Sequence, residues 1–388
     1  MSASPSAVGS APQVPRVIAE WGAATAQPTL IAIGSLHGNE PAGVRALERV
    51  ARKLAEHEPA FRGRFVALSG NRAALATGQR YLAADLNRFW TPETIARLRS
   101  GAPADHDPAE LHEAAELLAT IERSRGEGVT YVLDLHTASG ASAPFAVLAD
   151  TLANRRFARL LGLPIILGLE EQLDGTLLSY LETLGFVTTG CEGGRHDDPA
   201  AVDHLEAATW LALAGAGILA PGEAQAEVER ARALNQTAGR ALPAVSEIRY
   251  RHAIVPENEF RMEPGFQSFQ AIAAGQLLGQ ERSGPVVAPF GGRIMLPLYQ
   301  SQGSDGFFLS RPVRPVWLEI SALLRRTRLG RLAHLLPGVS RDPERPDVLL
   351  VDRRTARWLA LEVFHLLGYR RERVEGNLLV VTRRNETP

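Results

Sequence analysis

An unbroken apolar run at residues 29–33 leads into Gly34-Ser35-Leu36-His37-Gly38-Asn39-Glu40-Pro41, after which apolar positions recur at helical spacing over residues 42–56. The order predicts strand, loop and helix, with Pro41 in the first helical turn and Glu40 at the cap. Further on, the pattern predicts strands at 65–68, 129–135, 164–167 and 186–191 and helices at 111–123, 177–184 and 199–213, the third strand ending at His136. Strands that alternate with helices imply an α/β fold: a mixed, mostly parallel sheet with helices on both faces.

After about Pro243 the texture changes. A strand-like segment at 246–255 is followed by short runs broken by Gly265, Gly275, Gly279, Gly284, Gly291 and Gly292, which predicts a small all-β module. From Val316 a helix at 318–335, a strand at 348–351, a helix at 355–367 and a strand at 377–382 predict an α+β extension. The expected division is a flexible lead at 1–16, an α/β unit at 17–242, the β-module at 243–315 and the extension at 316–388. The lead is rich in Ser, Ala and Pro and has no basic segment followed by an apolar one.

A length of 388 residues suits several cores rather than one. With 45% apolar and 22% charged residues the composition is that of a soluble globular protein, and a formal net charge of −1 gives no overall pull toward nucleic acid or anionic lipid. The expected partner is a small molecule, with no nucleic acid and no membrane; a homo-oligomer stays open. Cys191 is the single cysteine, which excludes an intrachain disulfide and a multi-cysteine zinc site and fits a reducing cytoplasm.

Three residues point to metal chemistry. His37 and Glu40 form an H-x-x-E pair in the loop leaving one strand, and His136 closes another in Asp134-Leu135-His136. In a parallel sheet such ends gather at one edge. Two imidazoles and a carboxylate suit one zinc ion with a position left for water. Asp134 lies on the same side of its strand as His136 and is placed to accept the other ring N–H of a ligand histidine. In Asp85-Leu86-Asn87-Arg88 a guanidinium and an amide suit a substrate carboxylate, with Arg80 as a second cation; the alternative is a simple Asp85–Arg88 ion pair. In Gly190-Cys191-Glu192-Gly193-Gly194-Arg195 a carboxylate between glycines suits proton transfer from water to a leaving amine.

These four motifs, in this order, resemble the succinylglutamate desuccinylase/aspartoacylase family, itself related in fold to zinc carboxypeptidases, over roughly residues 29–308. The resemblance implies His37, Glu40 and His136 as zinc ligands and Arg80 as the group that polarises the scissile carbonyl. It also implies Asn87 and Arg88 as holders of the substrate carboxylate and Glu192 as general acid/base, with hydrolysis of an N-acyl amino acid or similar amide as the activity. It implies further that 243–315 is a barrel-sandwich-like module resembling a biotinyl or lipoyl carrier. Carrier use needs a lysine and none follows Lys53, so a wall or lid is the expected role. One family arginine has no counterpart, since no arginine lies between Arg159 and Glu192; Arg195 is the candidate replacement. Three alternatives remain: a carboxypeptidase-like peptide hydrolase, a non-catalytic zinc or ligand-binding protein, and a cysteine hydrolase pairing Cys191 with His136, His196 or His204.

Overall fold

The computed structural model describes residues 14–327, 329–345, 348–352, 354–355, 364 and 366–383. Residues 1–13 of the expected N-terminal lead and most of the helix expected at 355–367 fall outside them; Arg16, at the end of that expected flexible lead, is buried and paired with Glu113. In chain order the first half contains β1 (Val17–Trp21), β2 (Thr29–Gly34), α1 (Ala42–His57), β3 (Arg64–Ser69), α2 (Arg72–Thr77), α3 (Pro92–Ser100), α4 (Ala109–Ser124), β4 (Thr130–Ala138), β5 (Phe145–Val147), α5 (Leu152–Leu160), β6 (Ile165–Leu167), α6 (Leu177–Thr183), β7 (Val187–Arg195), α7 (Pro199–Gly215) and α8 (Gln225–Gly239). The rest contains β8 (Val245–Ala253), β9 (Arg261–Met262), β10 (Ala271–Ile272), β11 (Leu277–Glu281), β12 (Gly284–Val287), β13 (Gly292–Met295), β14 (Asp305–Pro312), α9 (Pro315–Arg326), β15 (Val339–Arg341), β16 (Val348–Asp352), β17 (Tyr369–Glu375) and β18 (Leu378–Arg383).

An 11-stranded mixed sheet in the order β1-β3-β2-β4-β7-β5-β6-β8-β14-β13-β10 forms the centre. Its core, β3-β2-β4-β7, is parallel throughout. Alternation along β2 shows why both faces are covered: Leu30 and Ala32 enter one apolar cluster with α1 and α7, whereas Ile31 and Ile33 enter a second with α4 and α6. Helix α1 buries Val44, Leu47, Val50 and Leu54 and leaves Arg45 exposed, as its spacing requires. Three short antiparallel strands, β12-β11-β9, form a separate sheet, and β15-β16-β18-β17 forms another in the C-terminal part.

Several expectations shift. The strands of the expected β-module are shared between sheets, because β8, β14, β13 and β10 continue the central one while β9, β11 and β12 stand apart. Helix α9 ends at Arg326, and Leu329–Leu335 is a 3₁₀ segment rather than more α-helix. Strand β4 runs two residues past His136, and β7 continues through Glu192 to Arg195, past the strand end expected at 191. The glycine at 193 serves packing: a Cβ there would lie 2.6 Å from Leu205 Cγ and 2.7 Å from Ala201 O, so only glycine lets α7 approach.

A buried ion cluster ties α9 to the sheet. Arg155 on α5 and Arg325 on α9 both donate to Asp150, at 2.7 Å and 2.8 Å, and all three residues are at most 6% exposed. Among the described residues no helix is long and apolar enough to cross a membrane.

Candidate active site

The loop after β2 is pressed against the sheet by close backbone contact. A Cβ on Gly34 would lie 2.5 Å from Gly43 C, and one on Gly43 would lie 3.0 Å from Leu135 O, so the first turn of α1 sits directly on the ends of β2 and β4. Pro41, not Glu40, holds the cap position of α1. Freed from capping, the Glu40 carboxylate lies in the gap between two imidazoles. Its Oε1 is 2.8 Å from His37 Nδ1 and its Oε2 is 3.1 Å from His136 Nδ1.

One ligand atom from each of His37, Glu40 and His136 lies within 4.8 Å of the others, and all three residues are buried. Behind each ring stands a carboxylate: His37 Nε2 is 3.0 Å from Asp85 Oδ1, and His136 Nε2 is 2.8 Å from Asp134 Oδ2. Donation of both Nε2–H groups outward leaves each Nδ1 as the lone-pair nitrogen facing the centre. Thr137 N donates to Glu40 Oε2 at 2.9 Å, and Arg80 reaches Glu40 Oε1 at 3.3 Å and Asp85 Oδ2 at 3.2 Å.

Parallel register sets the next residue. His136 on β4 pairs with Glu192 on β7, so the two share a face, while Cys191 alternates to the other side and is fully buried in the core. That orientation removes Cys191 from the cavity, and burial pushes its thiol above the ordinary range, so the cysteine-hydrolase reading has no nucleophile. Burial also pushes the Glu192 carboxyl up to about 7, with Glu40 adding to the rise and the nearby His136 and Arg80 opposing it. Burial would by itself raise Glu40 and lower His136. The charges and hydrogen bonds between them, with those of His37 and Asp134, win instead, holding Glu40 well below and His136 well above their usual values.

The donor set fits zinc. Glu40, Asp85, Asp134 and Glu192 set four carboxylates against the guanidinium of Arg80, and Asp134 Oδ1 and Glu192 Oε2 are buried with no hydrogen-bond partner among the described residues. A buried surplus of negative charge around two oriented imidazoles is what a divalent cation offsets.

His37, Glu40, Arg80, Asn87, Arg88, Asp134, His136 and Glu192 all line one cavity. Arg195 does not: its side chain is half exposed and pairs with Asp197. Asp85 and Arg88 do not pair in the way the loop suggested, since Asp85 faces His37 and Arg80 while Arg88 donates to Asp305 at 3.1 Å. Asn87 Oδ1 accepts from Leu177 N at 3.0 Å, which joins this loop to the start of α6.

Sequence reasoning missed three participants. Asp85 stood in view inside its motif, but its partner His37 lies 48 positions away. Asp305 lies 217 positions from Arg88 and carries no local signal. Gln300, on the segment between β13 and β14, accepts from Asn39 Nδ2 at 2.8 Å and meets His196 Nε2 at 3.1 Å, so this segment walls the cavity. Asp85→Asn keeps the shape but removes the charge behind His37. Metal affinity is expected to fall about 10–100-fold, read by competition with a chromophoric chelator, and unchanged affinity removes Asp85 from this role.

Residues 26–211 match the model of the succinylglutamate desuccinylase/aspartoacylase catalytic domain. The succinylglutamate desuccinylase of Pseudomonas paraeruginosa is 37% identical over 111 residues, which are 28% of this chain and 31% of that protein, so the matched stretch spans about a third of that relative. The succinylglutamate desuccinylase/aspartoacylase structure from Rhodobacter sphaeroides superimposes with a TM-score of 0.55 at 18% identity, covering 75% of this chain and 87% of its own. The succinylglutamate desuccinylase of Vibrio cholerae gives 0.53 at 15% identity, covering 76% and 83%. At these identities the likeness is one of fold.

Proposed function

Through residues 26–211 the chain belongs to the succinylglutamate desuccinylase/aspartoacylase family, and on that premise we propose that it is a zinc-dependent hydrolase of linear amides that releases an amine from an N-acyl amino acid or similar N-acyl amine. The observation that carries the proposal is the juxtaposition of the His37, Glu40 and His136 ligand atoms with Glu192 on the adjoining strand, on one face of the sheet. The fold is read as zinc carboxypeptidase-like, which the ligand-bearing ends of two neighbouring parallel strands support.

His37, Glu40 and His136 would hold the ion, and zinc in such a site supplies Lewis acidity and a water acidified toward neutrality. The protein's own groups do the remaining work. Glu192, half-buried and with one buried oxygen unpaired, takes the proton of the attacking water and returns it to the departing nitrogen. Arg80 balances the charge that gathers on the carbonyl oxygen; its Nε is buried and has no hydrogen-bond partner among the described residues. Asn87 and Arg88, which line the cavity, hold the carboxylate of the amine product. Asp134 and Asp85 keep the imidazoles in the ligating tautomer. No covalent enzyme intermediate is needed.

On this reading residues 17–242 are the catalytic unit and 243–315 a barrel-sandwich-like wall, which the contacts of Gln300 support; 316–388 is an α+β extension. Metal analysis is expected to find about one zinc per chain. Chelation is expected to stop hydrolysis of an N-acyl amino acid panel, with a peptide panel cleaved poorly beside it. Turnover untouched by chelation, or a preference for peptides, would overturn the proposal.

A further inference from the structure

The walls of the cavity specify the side chain of the amine that leaves, a conclusion that rests on the deacylase reading above. Among the described residues lining the cavity, Arg80 and Arg88 are the only arginines and no lysine is present. The chain's single lysine, Lys53, is held elsewhere by Glu206 and Glu227 at 2.7 Å and 2.9 Å. Both arginines already face carboxylates: Arg80 meets Glu40 and Asp85, and Arg88 meets Asp305. Asp305 is also bonded by Arg251 at 2.5 Å, which fixes it beside Arg88, and Glu170 contributes another carboxylate to the lining.

Part of the remaining wall is apolar, set beside the polar Thr137, Ser139, Thr176, His196, Gln300 and Ser304. Val147, Leu169, Leu173, Leu178, Leu296 and Phe308 line it from five separate segments. Leu169, Phe308 and their neighbours belong to a buried apolar cluster, so this surface is an extension of the core rather than a set of isolated exposed residues. The segment bearing Leu173 and Leu178 lies against the Asn87-Arg88 loop. Trp90 N donates to Gly175 O at 3.0 Å, Leu177 N donates to Asn87 Oδ1, and Arg251 donates to Gln172 O. The leucines and Asp305 therefore flank Arg88 together.

We propose that the substrates are N-acyl derivatives of amino acids with uncharged, apolar side chains, aliphatic or aromatic, rather than of aspartate or glutamate. One carboxylate meets Arg88. A second would lie near Asp305 and Glu170 with no cation of its own, and would displace the apolar contact the leucines offer.

The test uses the zinc-loaded full chain with N-acetyl-leucine, N-acetyl-phenylalanine, N-acetyl-aspartate, N-acetyl-glutamate and N-succinyl-glutamate. The four free amino acids are titrated calorimetrically in parallel. Leucine and phenylalanine derivatives are expected to show kcat/KM about tenfold or more above the acidic ones, and the free amino acids to bind in the same order. Asp305→Asn, and independently Leu173→Arg, are each expected to narrow that gap about tenfold, mainly through KM. Acidic derivatives cleaved or acidic amino acids bound as well as the apolar ones by the parent protein would overturn the inference while leaving the deacylase intact. If no derivative is cleaved, the deacylase reading fails and the binding order alone decides the inference, with no preference for leucine and phenylalanine counting against it.

Discussion

Glu192→Gln is expected to reduce kcat by about 10²–10⁴-fold while zinc content and product binding stay at the parent level. The amide matches the carboxylate in size and can still occupy its place on β7 beside His136, so the sheet and the ligand cluster are left alone. What it cannot do is accept a proton from water. The large effect follows from burial: a carboxyl whose affinity for a proton is raised to about 7 is poised to take one and give it back near neutrality, and desolvation is the principal cause of that rise. A bound cation would pull the value down again by favouring the ionised form. Turnover within about threefold of the parent would remove Glu192 from the proton path. Loss of zinc along with turnover would instead place Glu192 among the residues that hold the site together.

Where the chain's own punctuation coincides with its chemistry, the sequence was readable. The apolar run of β2, the glycines after it and Pro41 at the head of α1 mark strand, loop and helix at once, and His37 and Glu40 fall between them. Asp134 and His136 were legible for a related reason, since alternation on one strand requires no knowledge of tertiary structure. Glu192 was legible by motif although not by conformation, because the expected strand ends at 191, before the glycines, while the structure carries it on to Arg195 and uses Gly193 to admit α7. Pairings across the sheet were out of reach. Nothing near Arg88 announces Asp305, which arrives on β14 only because that strand joins β8 at the margin of the central sheet. Three-residue β5 was missed as well: it pairs antiparallel with β7 beside the parallel centre of a sheet whose pairings are as often antiparallel as parallel, and so short a run has no periodicity to detect.

Asp150→Asn is expected to cost about 3 kcal/mol of stability, the low end of the range for breaking a buried ion pair. Arg155 and Arg325 both spend hydrogen bonds on the Asp150 carboxylate, and none of the three is more than 6% exposed. Asparagine preserves the volume and the backbone carbonyl that Arg325 also uses, at 2.6 Å, so the loss is held below that of full truncation. What it removes is the negative charge shared by two guanidinium groups in a place where water cannot replace it. The exposed pair Arg49–Asp203 provides the contrast, with side chains 41% and 54% accessible. Asp203→Asn is expected to cost below about 1 kcal/mol. Urea unfolding of both variants, compared by midpoint at equal slope, measures the difference. Because Arg325 belongs to α9, Asp150→Asn is also expected to speed proteolytic cleavage around residues 313–327, where the fixed helix would otherwise resist it. Equal midpoints for the two variants would mean that the charge of Asp150 contributes no more than that of a surface pair.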